Sequence, residues 1–189
     1  FPVVALKPIC ETHRVIELLD HFPGSRAVWI FRHYRDAVRS ASIKWKSGPE
    51  AVRRLASDQP ESAGWRVGGL TPDKLALVRE LYHDGMTLHD ANAVMWYLRN
   101  GLFFDLAAEQ RADLVLVSYE DLVADPAVAF DRLFSAIGVP APPGLTGGVR
   151  ESARTPAALD LSPAIASLCE SLYTRLLEHH ARARGLHAS

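Results

Sequence analysis

Arg32, Asp36 and Ser40 follow an apolar run, Ala27–Phe31, at spacings that open a helix near Asp36 and set Ser40 one turn inside it. Free N–H groups and the helix dipole at such a start favour an anion, while an Arg fork and a Ser hydroxyl complete a phosphate cradle. The same spacing is also met by a plain Arg32–Asp36 surface ion pair, with Ser40 an indifferent helix residue. Of the two cysteines, Cys169 reads as helix core, and Cys10 reads as a buried structural thiol or, near cations, a reactive one.

The charge distribution singles out the same region. The chain has 189 residues and a net charge of −1. From Arg26 to Arg54, however, eight basic side chains face only Asp36 and Glu50, a local +6 in 29 residues that leaves −7 for the other 160. A local basic cluster on an acidic chain suits a small polyanion, or a solvated helix face, and argues against nucleic acid as a partner. Two cysteines exclude a disulfide-stapled secreted scaffold. No apolar run reaches the roughly 20 residues of a membrane span, and no signal peptide is visible, so a cytoplasmic location is expected. Arg outnumbers Lys 17 to 4 and Ala is abundant, which suggests a GC-rich bacterial source.

The elements that must position these residues follow from periodicity. Phe1–Leu6 reads as a short buried strand ending at Lys7-Pro8, and Glu11–Phe22 as a helix stopped by Pro23-Gly24. Ala27–Phe31 is a second strand, followed by a helix with Asp36 as N-cap running to about Lys46. Ser47–Pro72 reads as loop with a short helix around Glu50–Ser57, followed by helices over Asp73–Tyr82 and Thr87–Gln110. Asp113–Ser118 is a third strand, Tyr119-Glu120-Asp121 a turn, and Pro126–Ile137 a helix closed by Gly138. A long Pro- and Gly-rich loop, Val139–Ser162, precedes a last helix from Pro163 to about Arg184. Apolar strands separated by helices predict one α/β domain over residues 1–189, a parallel β-sheet flanked by helices on both faces. Ligands of such sheets sit at the carboxyl ends of strands, here Lys7, Arg32 and Tyr119.

Two stretches carry a resemblance. Val28-Trp29-Ile30-Phe31-Arg32-His33-Tyr34-Arg35-Asp36-Ala37-Val38-Arg39-Ser40 resembles the 3′-phosphate-binding segment of the sulfotransferases that use 3′-phosphoadenosine 5′-phosphosulfate (PAPS), with Tyr34 where Pro is common. Val115-Leu116-Val117-Ser118-Tyr119-Glu120-Asp121-Leu122, continuing to Gly138-Val139-Pro140, looks like a second passage of that family. The resemblance implies a P-loop-NTPase-like sulfotransferase fold, bacterial in type, in which Arg32 and Ser40 hold the 3′-phosphate and Tyr119 contacts the adenine. It implies that Lys7 stabilises the departing phosphate, and that Arg154, in the long loop, adds a further 3′-phosphate contact. A tyrosine at a strand end supplies a stacking face and a hydroxyl for such a role, or with Asp121 merely organises a turn; Lys7 equally reads as a Lys flanking a strand.

The resemblance also shows departures. Ile9 stands where the cytosolic branch has a His, which leaves Glu11 and His13 as the nearest bases. The Gly/Ser/Thr-rich strand–loop–helix that cradles the 5′-phosphosulfate is not found, and Gly68-Gly69 in a polar loop is no substitute. The chain, opening at Phe1, therefore reads as the N-terminally incomplete portion after that module. The expected activity is transfer of a sulfonate group from PAPS to a hydroxyl or amine of a small-molecule, glycan or lipid acceptor, without a metal. The alternative is a catalytically inactive remnant of the fold that binds nucleotide or a partner. A P-loop kinase relative is disfavoured, since no G-x-x-x-x-G-K-[ST] occurs.

Overall fold

A computed structural model describes residues 3–8, 10–148 and 159–186. The chain is a mixed α/β protein, mostly helical, around a small parallel sheet. After a 3₁₀ turn at Thr12–Arg14 come α1 (Val15–His21), β1 (Ala27–Phe31), α2 (Tyr34–Lys44) and α3 (Gly48–Ala56). A second 3₁₀ segment, Pro60–Arg66, leads to α4 (Pro72–Leu81) and the central α5 (Leu88–Asp105). Then come β2 (Leu114–Ser118), α6 (Tyr119–Ala124), α7 (Pro126–Ile137) and α8 (Pro163–Leu186).

β1 and β2 pair in parallel, in a register that sets Ala27 opposite Leu114 and Phe31 opposite Ser118. The sequence predicts a third strand at 1–6, and here the structure differs. Val3–Leu6 is irregular and solvent-exposed. An apolar run becomes a strand only when a partner takes up its backbone groups, and among the described residues none does so for this segment. The expectation of a sheet covered on both faces also fails in part. Trp29 and Phe31 are buried, whereas Val28 and Ile30, on the opposite face of β1, are exposed.

α5 organises the core. Ala91, Ala93, Val94, Leu98, Leu102 and Phe103 are almost completely buried along it, and α2, α3 and α8 pack around it. Such an all-round apolar surface marks a core helix. Thr87 caps it by accepting the Asp90 N–H through its hydroxyl (3.0 Å). The Asp90 carboxylate in turn accepts the Ser162 N–H (2.8 Å), fixing the approach to α8. Buried Asn92 donates to the buried Ser42 hydroxyl (2.9 Å), joining α5 to α2. The helix predicted to reach Gln110 ends at Asp105, because Ala107 takes a left-handed conformation (φ 52°) and a separate 3₁₀ turn follows. Gly138 closes α7 at φ 71°, as its sequence position implies. No helix of the described residues is long and apolar enough to cross a membrane.

Several cations of the +6 stretch have local partners. Arg53 and Arg54 on α3 both bind Glu50 (each Nε at 2.7 Å), Arg39 pairs with Asp36 (3.9 Å), and Arg26 donates to the Ala112 carbonyl (3.3 Å). The guanidinium hydrogen bonds of Arg53, and then of Arg54, hold the Glu50 carboxyl down at about 2, from an ordinary 4.5. A depressed folded-state pKa adds stability above the unfolded value and loses it as pH falls from about 4.5 towards 2. All three groups are solvent-exposed, so the readout is local. The Glu50 side-chain carboxyl carbon is expected to titrate by NMR with a midpoint near 2, rising towards the ordinary value in Arg53→Ala. An unmoved midpoint in that variant would dissolve the pairing.

Candidate functional site

The parallel register delivers residues 32 and 119 side by side at the carboxyl edge of the sheet, since Phe31 and Ser118 are partners. The Arg32 guanidinium lies over the Tyr119 ring, 4.6 Å from its centroid. The two residues, 87 apart in sequence, therefore form one cation–aromatic pair. Arg32 is half-buried, and its Nε is buried without a hydrogen-bond partner among the described residues. Asp36 does not serve it, because its pairing is with Arg39. The surface ion pair that the spacing allowed is thus not formed, and a cationic fork is left beside an aromatic face.

The turn bearing Arg32 is held from three sides. The Trp96 indole N–H of α5 donates to the Arg32 carbonyl (3.1 Å). The Glu120 carboxylate accepts the His33 N–H (2.9 Å) and the Ser118 hydroxyl (3.1 Å), tying the first turn of α6 to the loop after β1. His33, rather than Asp36, is the N-cap of α2: its ring Nδ1 accepts the Arg35 N–H (3.2 Å), and Asp36 falls inside the first turn. The His33 ring stacks on Tyr34 (4.8 Å) and meets Tyr173 of α8 edge-on (4.6 Å). Tyr34 is only 1% exposed, and burial, with a hydrogen bond to Glu170, pushes its phenol upward. Ser40 lies half-buried on α2, one turn beyond Asp36. Tyr119-Glu120-Asp121 is the first turn of α6 and not a bare turn; the Ser118 hydroxyl caps it by accepting the Asp121 N–H (3.4 Å).

Glu120 carries a prediction. Glu120→Ala removes the acceptor of two partly buried donors, and hydrogen bonds to charged groups are worth roughly 1.5–3 kcal/mol. Urea unfolding is expected to show a loss in about that range, with Glu120→Gln retaining part of it. A loss no greater than that of an exposed control such as Glu61→Ala would sink the tethering role.

The other predicted residues scatter. Lys7 is exposed in the irregular segment and makes no hydrogen bond or ion pair among the described residues, so it is not a strand-end lysine. The Glu11 carboxylate faces Arg14 (3.5 Å), whose closer partner is Glu17 (2.6 Å). His13 packs against the backbone of Gly68 and Gly69. Arg154 lies outside the described residues. Cys10 is half-buried rather than buried. Cys169 is core: its thiol donates to the Ala93 carbonyl (3.5 Å), and burial pushes its pKa up to about 12, so it stays protonated and inert.

Sequence reasoning passed over the supports. His180 of α8 bridges the Leu116 carbonyl (Nδ1, 3.0 Å) and the Asp121 carboxylate (Nε2, 2.9 Å), bracing β2 and α6 from 64 and 59 residues away. No local pattern announces such a link. In the sequence Trp96 is one apolar residue of the long helix, and Glu120 one residue of the second stretch.

Fold and site together define a mixed α/β protein with a tethered Arg–Tyr pair at the carboxyl edge of a parallel sheet. No family model, curated protein or solved structure matches the chain.

Proposed function

We propose that this protein binds PAPS and transfers its sulfonate group to a hydroxyl or amine acceptor. The observation that carries the reading is the stacked Arg32–Tyr119 pair at the carboxyl edge, the place where ligands of parallel sheets bind. In this reading Tyr119 offers its ring to the adenine, and Arg32, with Ser40, holds the 3′-phosphate. The buried Arg32 Nε without a partner suits that assignment, since an anion would satisfy it.

Chemically, the acceptor oxygen or nitrogen attacks sulfur as the bond from sulfur to the bridging oxygen of the 5′-phosphate breaks. Adenosine 3′,5′-diphosphate leaves, and the acceptor's proton passes to a base, Glu11 or His13. Lys7 and Arg154 are proposed to neutralise the leaving phosphate and the 3′-phosphate. Catalysis of this kind rests on positioning and on charge placed at peripheral oxygens.

A second reading, a nucleotide-binding or interaction domain without transfer, is favoured by one observation. Lys7 is exposed and has no contact with the Arg32–Tyr119 pair. Calorimetry with adenosine 3′,5′-diphosphate, set against adenosine 5′-monophosphate, tests the shared premise: binding is expected only with the 3′-phosphate. Equal heats from both nucleotides, or none from either, would refute it. A radiolabelled-sulfonate transfer assay then separates the two readings.

A further inference from the structure

Helices α4, α5 and α8 leave a cleft of about 180 Å³ between them. On α5, Tyr97, Gly101, Phe104 and Asp105 fall at the i, i+4, i+7 and i+8 spacing of one helix face. On α8, Leu168, Leu172 and Arg175 repeat the first three of those steps, and Lys74 of α4 closes the third side. None of these residues belongs to the Arg32–Tyr119 pair or to its supports.

Gly101 is the floor of this cleft. An interior glycine destabilises a helix relative to alanine, and here the backbone is helical, so no left-handed turn calls for one. A Cβ placed on Gly101 would meet Lys74 Nζ at 3.4 Å, Asp105 Oδ2 at 3.7 Å and Leu172 Cδ2 at 4.0 Å. The ends of three side chains, one from each helix, thus converge on a single space. The absent methyl keeps that space open.

The charges around it do not balance. Lys74 Nζ lies 3.8 Å from Asp105 Oδ2, beyond hydrogen-bond range, and donates to the Tyr97 phenol oxygen (3.2 Å). An ammonium has three donors, so Lys74 keeps capacity to spare. The Arg175 guanidinium lies over the Phe104 ring, 3.6 Å from its centroid. Among the described residues it makes no hydrogen bond or ion pair, so its fork is seated on the ring and unspent. Two cations against one carboxylate leave the cleft one positive charge in excess.

We infer that this cleft binds a small aromatic carboxylate. The excess charge calls for a single anionic group, and a guanidinium fork matches the two oxygens of a carboxylate. Leu168, Leu172 and the rings of Tyr97 and Phe104 supply apolar wall for the body of the ligand. The volume sets the size. A cavity of about 150 Å³ holds one benzene ring, so a cleft of about 180 Å³ takes one ring with its carboxyl group. The inference does not depend on the nucleotide reading.

The full chain is titrated with sodium benzoate at constant ionic strength while the Leu168 and Leu172 methyl resonances are followed by ¹H–¹³C NMR. Saturable shifts are expected. Acetate, which lacks the ring, and benzyl alcohol, which lacks the charge, should each bind roughly tenfold more weakly. Arg175→Gln, a change at an exposed position, is expected to weaken benzoate by a similar factor and to leave benzyl alcohol unaffected. Gly101→Ala is expected to melt no lower than the wild type, since it removes an interior glycine. Its methyl enters the cleft, however, and should weaken benzoate roughly fivefold or more. Arg175→Gln decides the matter even if Gly101→Ala melts early. Arg32→Ala is expected to keep full benzoate affinity whatever its effect on nucleotide, so the two readings fail separately. The proposal is overturned by no saturable shift with benzoate, or by acetate or benzyl alcohol binding as tightly. Benzoate affinity unchanged in Arg175→Gln or in a folded Gly101→Ala, or reduced in Arg32→Ala, overturns it equally.

Discussion

Arg32→Ala is expected to reduce affinity for adenosine 3′,5′-diphosphate by roughly tenfold to a hundredfold, the value of charge-assisted hydrogen bonds to one phosphate. The size follows from what Arg32 lacks in the free protein. Among the described residues it has no carboxylate to release, so its interaction with a phosphate is not offset by breaking an ion pair. Arg32→Lys keeps a point charge without the planar fork, and is expected to recover only part of the loss. Tyr119→Leu removes a stacking face worth roughly 1–3 kcal/mol per base, whereas Tyr119→Phe is expected to bind nearly as well as the wild type. The fold is expected to tolerate all of these, because the side-chain interaction they remove among the described residues is the cation–aromatic one, worth roughly 0.5–1 kcal/mol at a partly exposed site. Calorimetry at two salt concentrations measures the affinities, and thermal unfolding checks the fold. An Arg32→Ala affinity within twofold of the wild type would remove Arg32 from the phosphate site.

Legibility differed by element, for physical reasons. For Ala27–Phe31 and Pro126–Ile137 the sequence bounds and the structural ones coincide, since a β-branched and aromatic run, a proline at N1 and a glycine at C′ are all local signals. The segment 1–6 carried the same kind of apolar signal and is not a strand where it is described. Apolarity states a preference for burial, whereas a strand also requires an edge to pair with, which no window of six residues can report. The Asp36 cap was displaced by His33, two residues past the strand, because the imidazole Nδ1 reaches the Arg35 N–H and starts the helix earlier. The count of +6 includes Glu50, and what composition cannot show is that this one carboxylate binds both Arg53 and Arg54.

For the site, the strand ends were the informative positions. Arg32 and Tyr119 were both singled out, and the parallel register brings them together. Lys7, Glu11 and His13 lie close together in sequence, yet each faces something different: solvent, Arg14, and a glycine pair. Gly68-Gly69, which in sequence is no phosphate loop, is where His13 is seated. That arrangement is a three-dimensional one, in which two residues without side chains allow a ring to approach the backbone.

Phe31 is where fold and site meet, and its truncation is expected to have the largest effect on stability. It is 1% exposed at the last position of β1, directly before Arg32, with Tyr173 and His180 of α8 edge-on to its ring at 6.0 and 5.9 Å. Phe31→Ala leaves a cavity at the joint between sheet and α8, a change that typically costs about 3–5 kcal/mol. Against a typical total of roughly 5–15 kcal/mol, that is a large share. At roughly 2–4 °C per kcal/mol for a chain of this length, the melting temperature should fall by about 6–20 °C. Phe31→Leu, which restores most of the volume, is expected to recover more than half of the loss. Ile30, its neighbour on the same strand, is 53% exposed, so Ile30→Ala should cost less than about 1 kcal/mol. Because His180 also holds the Leu116 carbonyl and Asp121, the cavity should loosen the platform beneath Tyr119 as well. Nucleotide affinity, measured well below the melting transition, is therefore expected to weaken in Phe31→Ala and to stay unchanged in Ile30→Ala. If the two variants melt within about 1 kcal/mol of each other, the buried face of β1 is not what holds Arg32 in place.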